Sequence, residues 1–437
     1  MKKWILAGFL AWAVSAAWPV SSGYAAGPDT QVDALIEKLV DKGILSKDEA
    51  DVLKSRIVYD AKTIQDNNMK TGMPEWVQNT KIGGDMRVRF QEQKRKDGTQ
   101  DNAQGRMRMR LNVESKLSDK AKVVIGIATT GGANNARSNN VTFSGDTSTE
   151  AANKPFAKTT VVLNKAYGVY MFNDHWTAMA GKMDNPVWEP MEFLWDADIT
   201  PEGGSVRYDQ KINDKISLFT TGSFFMLNNF SASTSDPFVW VAQGGVVLKP
   251  NEKMDAKLVG AYQGYGNIHN GFTGGNKNNT NGTNEVQTGA TALKYDYSAP
   301  LYAVEIGFND PFGELLPSPI YIPRVGVFGE FTKNPSPDAQ DKAWMAGGYF
   351  GNSKVNGFGT WKAIWAYKWL GKDAWLDILP DSDFYSGNTD VKGYEGILEV
   401  GLSKNMTFVF DYYHAERIKA ANKAPEHLLQ ADINWKF

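Results

Sequence analysis

Two short stretches of this 437-residue chain carry charge at every second position. Arg87 and Arg89 in "GGDMRVRFQE" alternate with Met86, Val88 and Phe90. Arg106, Arg108 and Arg110 in "RMRMRLNVESKL" alternate with Met107, Met109, Leu111, Val113 and Leu117. A period of two sends successive side chains to opposite faces of a strand, so the five guanidiniums share one face. They repel one another unless water or anions face them. Such a face must be wet, and the chemistry open to it is electrostatic: attracting, orienting or repelling solutes along an aqueous path. A third stretch, "DNPVWEPMEFLWDADITPEGG", carries Asp184, Glu189, Glu192, Asp196, Asp198 and Glu202 among Trp188, Phe193 and Trp195. So much aromatic surface favours burial. The stretch is therefore expected to fold inward, narrow the path and set an acidic lip against the arginine wall. Asp85 and Glu114 can offset part of the wall's charge locally, and the plainer reading is that these pairs and water satisfy it, giving structure without selectivity.

Other chemistry is thinly represented. The chain has four histidines, His175, His269, His414 and His427, and shows no G-x-S-x-G, H-E-x-x-H or phosphate-loop pattern, so no catalytic residue is expected. Asp381, Asp383 and Asp390 cluster in "LPDSDFYSGNTDVKG", but without the spacing of a calcium loop, and a solvated outer loop is the expectation. The absence of Cys excludes disulfides, thiolate metal sites and covalent haem attachment, and no cofactor or metal is expected. A net charge of −2 argues against a nucleic-acid partner.

The elements that must position the arginines are strands. Period-two segments continue at about 120–130, 158–172, 176–183, 203–212, 215–226, 237–249, 253–266, 285–297, 319–333, 342–353, 358–369, 392–403, 405–417 and 427–437. With the two arginine strands these make sixteen. "PLYAVEIGFND" at 300–310 would make seventeen, which cannot bring both ends of a closed sheet to one rim, so the count is sixteen or eighteen. Tight links such as "SDK", "NDH", "NDK", "PNE" and "SKN" alternate with long polar ones such as "GNIHNGFTGGNKNNTNGTN". Short turns on one rim and long loops on the other mark a membrane barrel, and barrels of about 16 to 18 strands enclose water. The last strand, "LLQADINWKF", presents Leu429, Ala431, Ile433, Trp435 and Phe437 on one face and Gln430, Asp432, Asn434 and Lys436 on the other. Hydrophobic residues make up 42% of the chain, as expected when only half of each strand is apolar.

Ahead of the strands, Lys2 and Lys3 precede an apolar run from Trp4 to Ala17 and a small-residue site at Gly23 and Ala25. This predicts a signal peptide over 1–25, since about 14 apolar residues are too few to span a bilayer. Val32, Leu35, Ile36, Leu39 and Val40 form one helical stripe, and Gly43 stops it. Ser46 and Glu49 form a capping box for a second helix with Ala50, Val52, Leu53, Ile57 and Val58. A periplasmic helical arm is expected over 26–75 and the barrel over 78–437.

Together "ALIEKLVDKGILSKDEADVL", "KIGGDMRVRF", "GRMRMRLNVESKL", "AGKMDNPVWEPMEFLWDADITPEGGSVRY", "DSDF" and "VKGYEGILEVGLSKNMTFVFDYYHAERI" resemble the putative porin family of Gram-negative bacteria. The resemblance covers nearly the whole mature chain. It implies an all-β transmembrane antiparallel barrel forming a channel in outer-membrane lipid, and no catalytic residues; from the facing charges, passive diffusion of small hydrophilic solutes and ions is expected. By analogy with porins of this size, a homotrimer is expected. Ile433, Trp435 and Phe437 resemble the signal read by the outer-membrane assembly machinery. The alternative is a barrel sleeve around a multihaem cytochrome partner.

Overall fold

The computed structural model describes residues 36, 38–42, 45–53, 55–56, 75–131, 135–144, 158–229, 235–269, 283–287, 292–315, 321–419 and 422–437. The predicted signal peptide lies outside the described residues, as do Val32, Leu35, Gly43, Ile57 and Val58 of the predicted arm. The chain divides into two units, 1–80 and 81–437.

In the first unit, the capping box forms as its spacing requires. The Ser46 backbone N–H donates to Glu49 Oε2 at 2.9 Å, and the Glu49 N–H donates to Ser46 Oγ at 3.2 Å. Helical residues follow at 47–53, with Ala50 buried and Val52 exposed. On the first stripe, Ile36 is buried.

The second unit is a closed antiparallel barrel of sixteen strands: β1 (Thr80–Arg95), β2 (Asp101–Lys116), β3 (Ala121–Thr130), β4 (Thr160–Met171), β5 (Trp176–Lys182), β6 (Glu202–Lys211), β7 (Ile216–Met226), β8 (Phe238–Asn251), β9 (Met254–Gly266), β10 (Ala299–Asn309), β11 (Arg324–Lys333), β12 (Lys342–Gly351), β13 (Trp361–Leu370), β14 (Val391–Ser403), β15 (Met406–Arg417) and β16 (Glu426–Lys436). An additional two-residue strand, Val141–Thr142, pairs with β2. Each of the sixteen pairs with its sequence neighbour, and β1 closes on β16 with Met86 opposite Trp435 and Arg89 opposite Asp432. Closure leaves no sheet edge, which lipid would not tolerate. The terminal Phe437 extends the seam: its N–H donates to Gly84 O at 3.1 Å, and the Gly84 N–H donates to Phe437 O at 2.9 Å.

Turn chemistry explains the tight rim. Asn173 Oδ1 accepts from the His175 and Trp176 N–H groups at 2.9 Å each, and Asn213 Oδ1 accepts from those of Lys215 and Ile216 at 2.8 and 3.0 Å. An Asn side chain used this way closes a short turn on its own backbone. The opposite rim carries the connections L1 (96–100), L2 (131–159), L3 (183–201), L4 (227–237), L5 (267–298), L6 (334–341), L7 (371–390) and L8 (418–425), most of them longer, although 310–323 and 352–360 on the tight rim exceed L1.

The strand count resolves the parity conflict at sixteen, with one exchange of elements. The segment 300–310 belongs to a true strand, β10, whereas the described residues of 285–297 form no strand. Its alternation resembles a stave, but its polar groups are engaged elsewhere. The Glu285 N–H donates to Asp373 Oδ1 at 2.7 Å and the Tyr297 hydroxyl donates to the same atom at 2.8 Å, leaving among the described residues only the isolated bridge between Val286 and Leu293.

The outward register is apolar and aromatic, with Phe224, Trp240, Tyr262, Tyr302, Trp344 and Trp365 all exposed. Trp240 stacks on Tyr262 and Trp344 on Tyr367, each with centroids 5.5 Å apart. Cross-strand aromatic pairs of this kind stabilise a sheet. The buried core is inside the barrel. L3 and L7 fill it together with inward apolar residues from β7 to β13, including Phe219, Phe225, Val239, Phe328 and Met345.

Candidate functional site

The five predicted arginines lie side by side on β1 and β2, with their side chains on the interior face and mostly buried. Arg89 is the most firmly held. Its Nε and Nη2 donate to the two Asp432 oxygens at 2.8 and 2.9 Å, and its Nη1 donates to Asp383 at 3.1 Å. A bidentate guanidinium–carboxylate pair is both strong and directional. Arg87 donates to Asn140 Oδ1 at 2.6 Å and lies 3.5 Å from Asp432. Arg106 donates to Gln91 at 3.2 Å. Arg108 and Arg110 share Asp85, at 3.0 and 2.8 Å, and both approach Asp198, at 3.8 and 3.4 Å.

Four carboxylates thus meet five guanidiniums. The sequence reading placed Asp85 and Asp198 here but not Asp383 or Asp432. It also assigned Glu114 to the wall, whereas Glu114 pairs with Lys122 at 3.1 Å. Arg89 and Asp432 are read most readily from the register of the closing strands, which only the assembled barrel supplies.

L3 enters and leaves the interior through a pair of glycines, Gly181 and Gly203, which face each other across β5 and β6. Gly181 has φ +125°, and a Cβ there would lie 2.3 Å from Ala166 O; a Cβ on Gly203 would lie 2.0 Å from Phe224 O. Inside, the Trp188 N–H donates to Gln243 Oε1 and the Gln243 amide donates to Trp188 O, both at 2.9 Å. Lys257 Nζ sits 3.9 Å from the centre of the Trp188 ring. Trp195 Nε1 donates to Gln263 at 3.0 Å, and its ring meets the edge of Phe225. The expected inward fold of the aromatic stretch is what these contacts produce.

L7 was expected to be a solvated outer loop. It is instead buried, with Trp375, Leu376, Phe384 and Tyr385 nearly inaccessible. The reason is its partner. Trp375 Nε1 donates to Leu194 O at 2.9 Å, the Asp196 N–H to Leu379 O at 2.7 Å, and the Ser382 N–H to Asp196 Oδ2 at 2.8 Å. A third insertion comes from L2. Arg137 Nη1 donates to the carbonyls of Asp377, Pro380 and Gly387 at 3.1 to 3.2 Å, and the Asn139 amide donates to Asp198 at 3.1 Å. L3 and L7 therefore form one packed body inside the barrel, stapled by L2.

The L3 acids do not act as one lip. Only Asp198 faces the arginines. Asp184 pairs with Lys165 and accepts from the Tyr167 hydroxyl at 3.0 Å. Glu189 Oε2 accepts from the Trp195 N–H at 3.4 Å, and Glu192 Oε1 from the Ala197 N–H at 2.8 Å. Burial, reinforced by neighbouring carboxylates, pushes Glu189, Glu192 and Asp196 well above the usual carboxylate range. Asp383 goes the other way. Burial alone would raise it, but Arg89 and the neighbouring guanidiniums hold it below its ordinary value.

The cation of this acid group is Lys368, which the sequence reading missed. Its Nζ donates to Glu192 O and to Asp381 Oδ2 at 2.8 Å and lies 2.6 Å from Glu395. Asp381, Asp383 and Asp390 do not converge as a calcium loop would, because Asp383 turns to Arg89 and Asp390 accepts from the Lys419 N–H at 3.2 Å. Glu192, Asp196 and Asp381 bring one carboxylate oxygen each within 4.8 Å of the others, with the Lys368 ammonium already on Asp381.

No curated protein matches the sequence. Among solved structures, the high-pH structure of Pseudomonas putida OprB aligns with a TM-score of 0.52 at 11% identity, covering 83% of this chain and 95% of that one. A mutant of the Rhodopseudomonas blastica porin aligns with a TM-score of 0.44 at 10% identity, covering 82% and 100%. At such identities the likeness to OprB is one of fold. The sequence itself matches the family described as "Putative porin" over residues 94–305 and 324–437. With this match spanning most of a closed barrel whose interior is lined by charge, the chain belongs to the putative porin family.

Proposed function

We propose that the protein is an outer-membrane channel for passive diffusion of small hydrophilic solutes and ions, narrowed by L3 and L7. The observation that carries this reading is the contrast between the two faces of the strands: aromatic and apolar outside, charged on the β16–β1–β2 wall inside. Arg87, Arg89, Arg106, Arg108 and Arg110 line the path. Asp184, Trp188, Glu189, Glu192, Trp195, Asp196 and Asp198 belong to the constriction, with Trp188 and Trp195 anchoring it and Asp198 setting its charge. A transverse field between arginines and opposing carboxylates orients polar solutes and slows apolar ones.

Single-channel conductance in planar bilayers tests the reading. Replacing Arg106, Arg108 and Arg110 by Gln is expected to shift the reversal potential toward cations, and deleting residues 186–198 to raise conductance. A purified, folded barrel that passes no current sinks the proposal. The alternative of a sleeve around a multihaem partner is less favoured, because the chain's own L2, L3 and L7 occupy the bore such a partner would need. Assembly through Ile433, Trp435 and Phe437 and a homotrimeric state complete the proposal. Undiminished insertion after deletion of Phe437, or a monomer by crosslinking, removes the respective part.

A further inference from the structure

His414 and His427 stand directly opposite each other in the β15–β16 ladder. They belong to the outward register, with Phe410 and Tyr412, close to where the two strands meet L8. Their ring centroids are 4.5 Å apart, and their Nδ1 atoms face each other at 3.3 Å. The Tyr412 hydroxyl lies 2.6 Å from the same His427 Nδ1. Hydrogen bonding serves this convergence poorly. A neutral Nδ1 has either one proton to donate or one lone pair to accept with, so His427 Nδ1 can make a well-aligned bond to Tyr412 or to His414, not to both.

A metal ion suits the same geometry. Two imidazole nitrogens bound at about 2.05 Å, with a roughly tetrahedral angle between them, stand about 3.3 Å apart. The surrounding charge does not oppose a cation. Lys94, the register partner of His427 on β1, is ion-paired with Glu92 at 2.5 Å, and Lys392 with Glu416 at 3.3 Å. The chain's other histidines are committed elsewhere: His175 Nδ1 lies 2.9 Å from Asp209 O, and His269 bridges Leu293 O and Asp296.

We propose that His414, His427 and Tyr412 form a binding site for a late first-row divalent cation, Cu²⁺ or Zn²⁺, on the outer face of the barrel at its long-loop end. Imidazole is the ligand such ions favour. Tyr412 adds an oxygen, and the remaining positions are open to water or an anionic headgroup. The site lies outside the bore, so its occupancy is independent of conduction.

The test is a calorimetric titration of the full-length, detergent-solubilised barrel with ZnCl₂ and with CuSO₄, alongside electron paramagnetic resonance of the copper form. One ion per chain is expected, with a spectrum showing two nitrogen ligands. His414→Ala and His427→Ala should each weaken binding by at least the roughly 10-fold that loss of a mere supporting partner costs. His175→Ala should change nothing. Heat-modifiable gel mobility reports that each variant is folded. No binding by the native barrel, a spectrum with a single nitrogen, or equal affinity in the His414/His427 double variant overturns the proposal.

Discussion

The two sides of the barrel interior are built on opposite electrostatic terms. On the β16–β1–β2 side, five guanidiniums meet Asp85, Asp198, Asp383 and Asp432 at close to one anion per cation. On the β11–β14 side, Glu189, Glu192, Asp196, Glu330, Asp381 and Glu395 gather near the buried Lys368 ammonium, with the Arg137 guanidinium beside Asp196 and Asp381. Both Glu330 oxygens are buried without a hydrogen-bond partner. The first side is held by paired charge. The second is held by buried aromatic surface, by the Lys368 ion pairs to Asp381 and Glu395, and by L3 acids whose burial raises them above the usual carboxylate range. An inward polar register therefore fixes where charges lie but not whether they are matched, and a mismatch is sustained only where loops exclude water.

Lys368→Met should break the contrast most severely. Removing one member of a buried ion pair costs about 3–5 kcal/mol, and here Asp381 and Glu395 would both lose their cation. The expected result is a lower temperature for loss of the heat-modifiable band and a noisier, larger conductance as L3 and L7 loosen. A melting temperature equal to the native value would show that the acid group does not depend on the lysine. Asp432→Asn attacks the matched side and should cost less, on the order of 1.5–3 kcal/mol, because Arg89 keeps Asp383. Its expected signature is a melting shift without greater noise, and increased L3–L7 noise would refute the independence of the two sides.

The smallest and most graded effect is with pH. Glu192 and Asp196 sit above their ordinary values of 4.5 and 3.8, so the packed loops bind more protons than the released loops. Their contribution is complete below those ordinary values and is lost as pH rises through the raised ones. Asp383 is held below 3.8, so its contribution is present above that value and is lost only as pH falls through the lowered one. Conductance noise should therefore grow as pH rises, and Glu192→Gln with Asp196→Asn should flatten that dependence. A native profile that is flat, or that grows noisier toward acid, would place control on the arginine side.

Much of the barrel was legible because its signals are local. Alternation in "RMRMRLNVESKL", the Asn turns at 173 and 213, and the Ser46–Glu49 box each act between residues a few positions apart. The failures share a cause. The segment 285–297 alternates like a strand, yet Thr283 and Asn284 donate their backbone N–H groups to Asp377, some ninety positions away, at 2.8 and 3.1 Å. L7 looked soluble from its aspartates, but Trp375 and Phe384 found L3 and the wall. The inward apolar patch at Phe219, Phe225 and Val241 was masked because the same interior register also holds Thr221, Ser223 and Gln243, and only the packed loops reveal that its apolar members form a core.

By itself, the sequence determined a closed antiparallel barrel, the interior direction of the arginines and the burial of the aromatic third loop. Side-chain alternation, turn chemistry and hydrophobicity need no knowledge of distant residues. Only the tertiary structure decided which acid meets which base. Asp383 and Asp432 reach Arg89 across 294 and 343 positions of sequence, and Lys368 pairs with Asp381 and Glu395, neither of which was expected to meet a cation. Coulomb energy depends on separation in space, and that separation is set by the path L3 and L7 take through the bore.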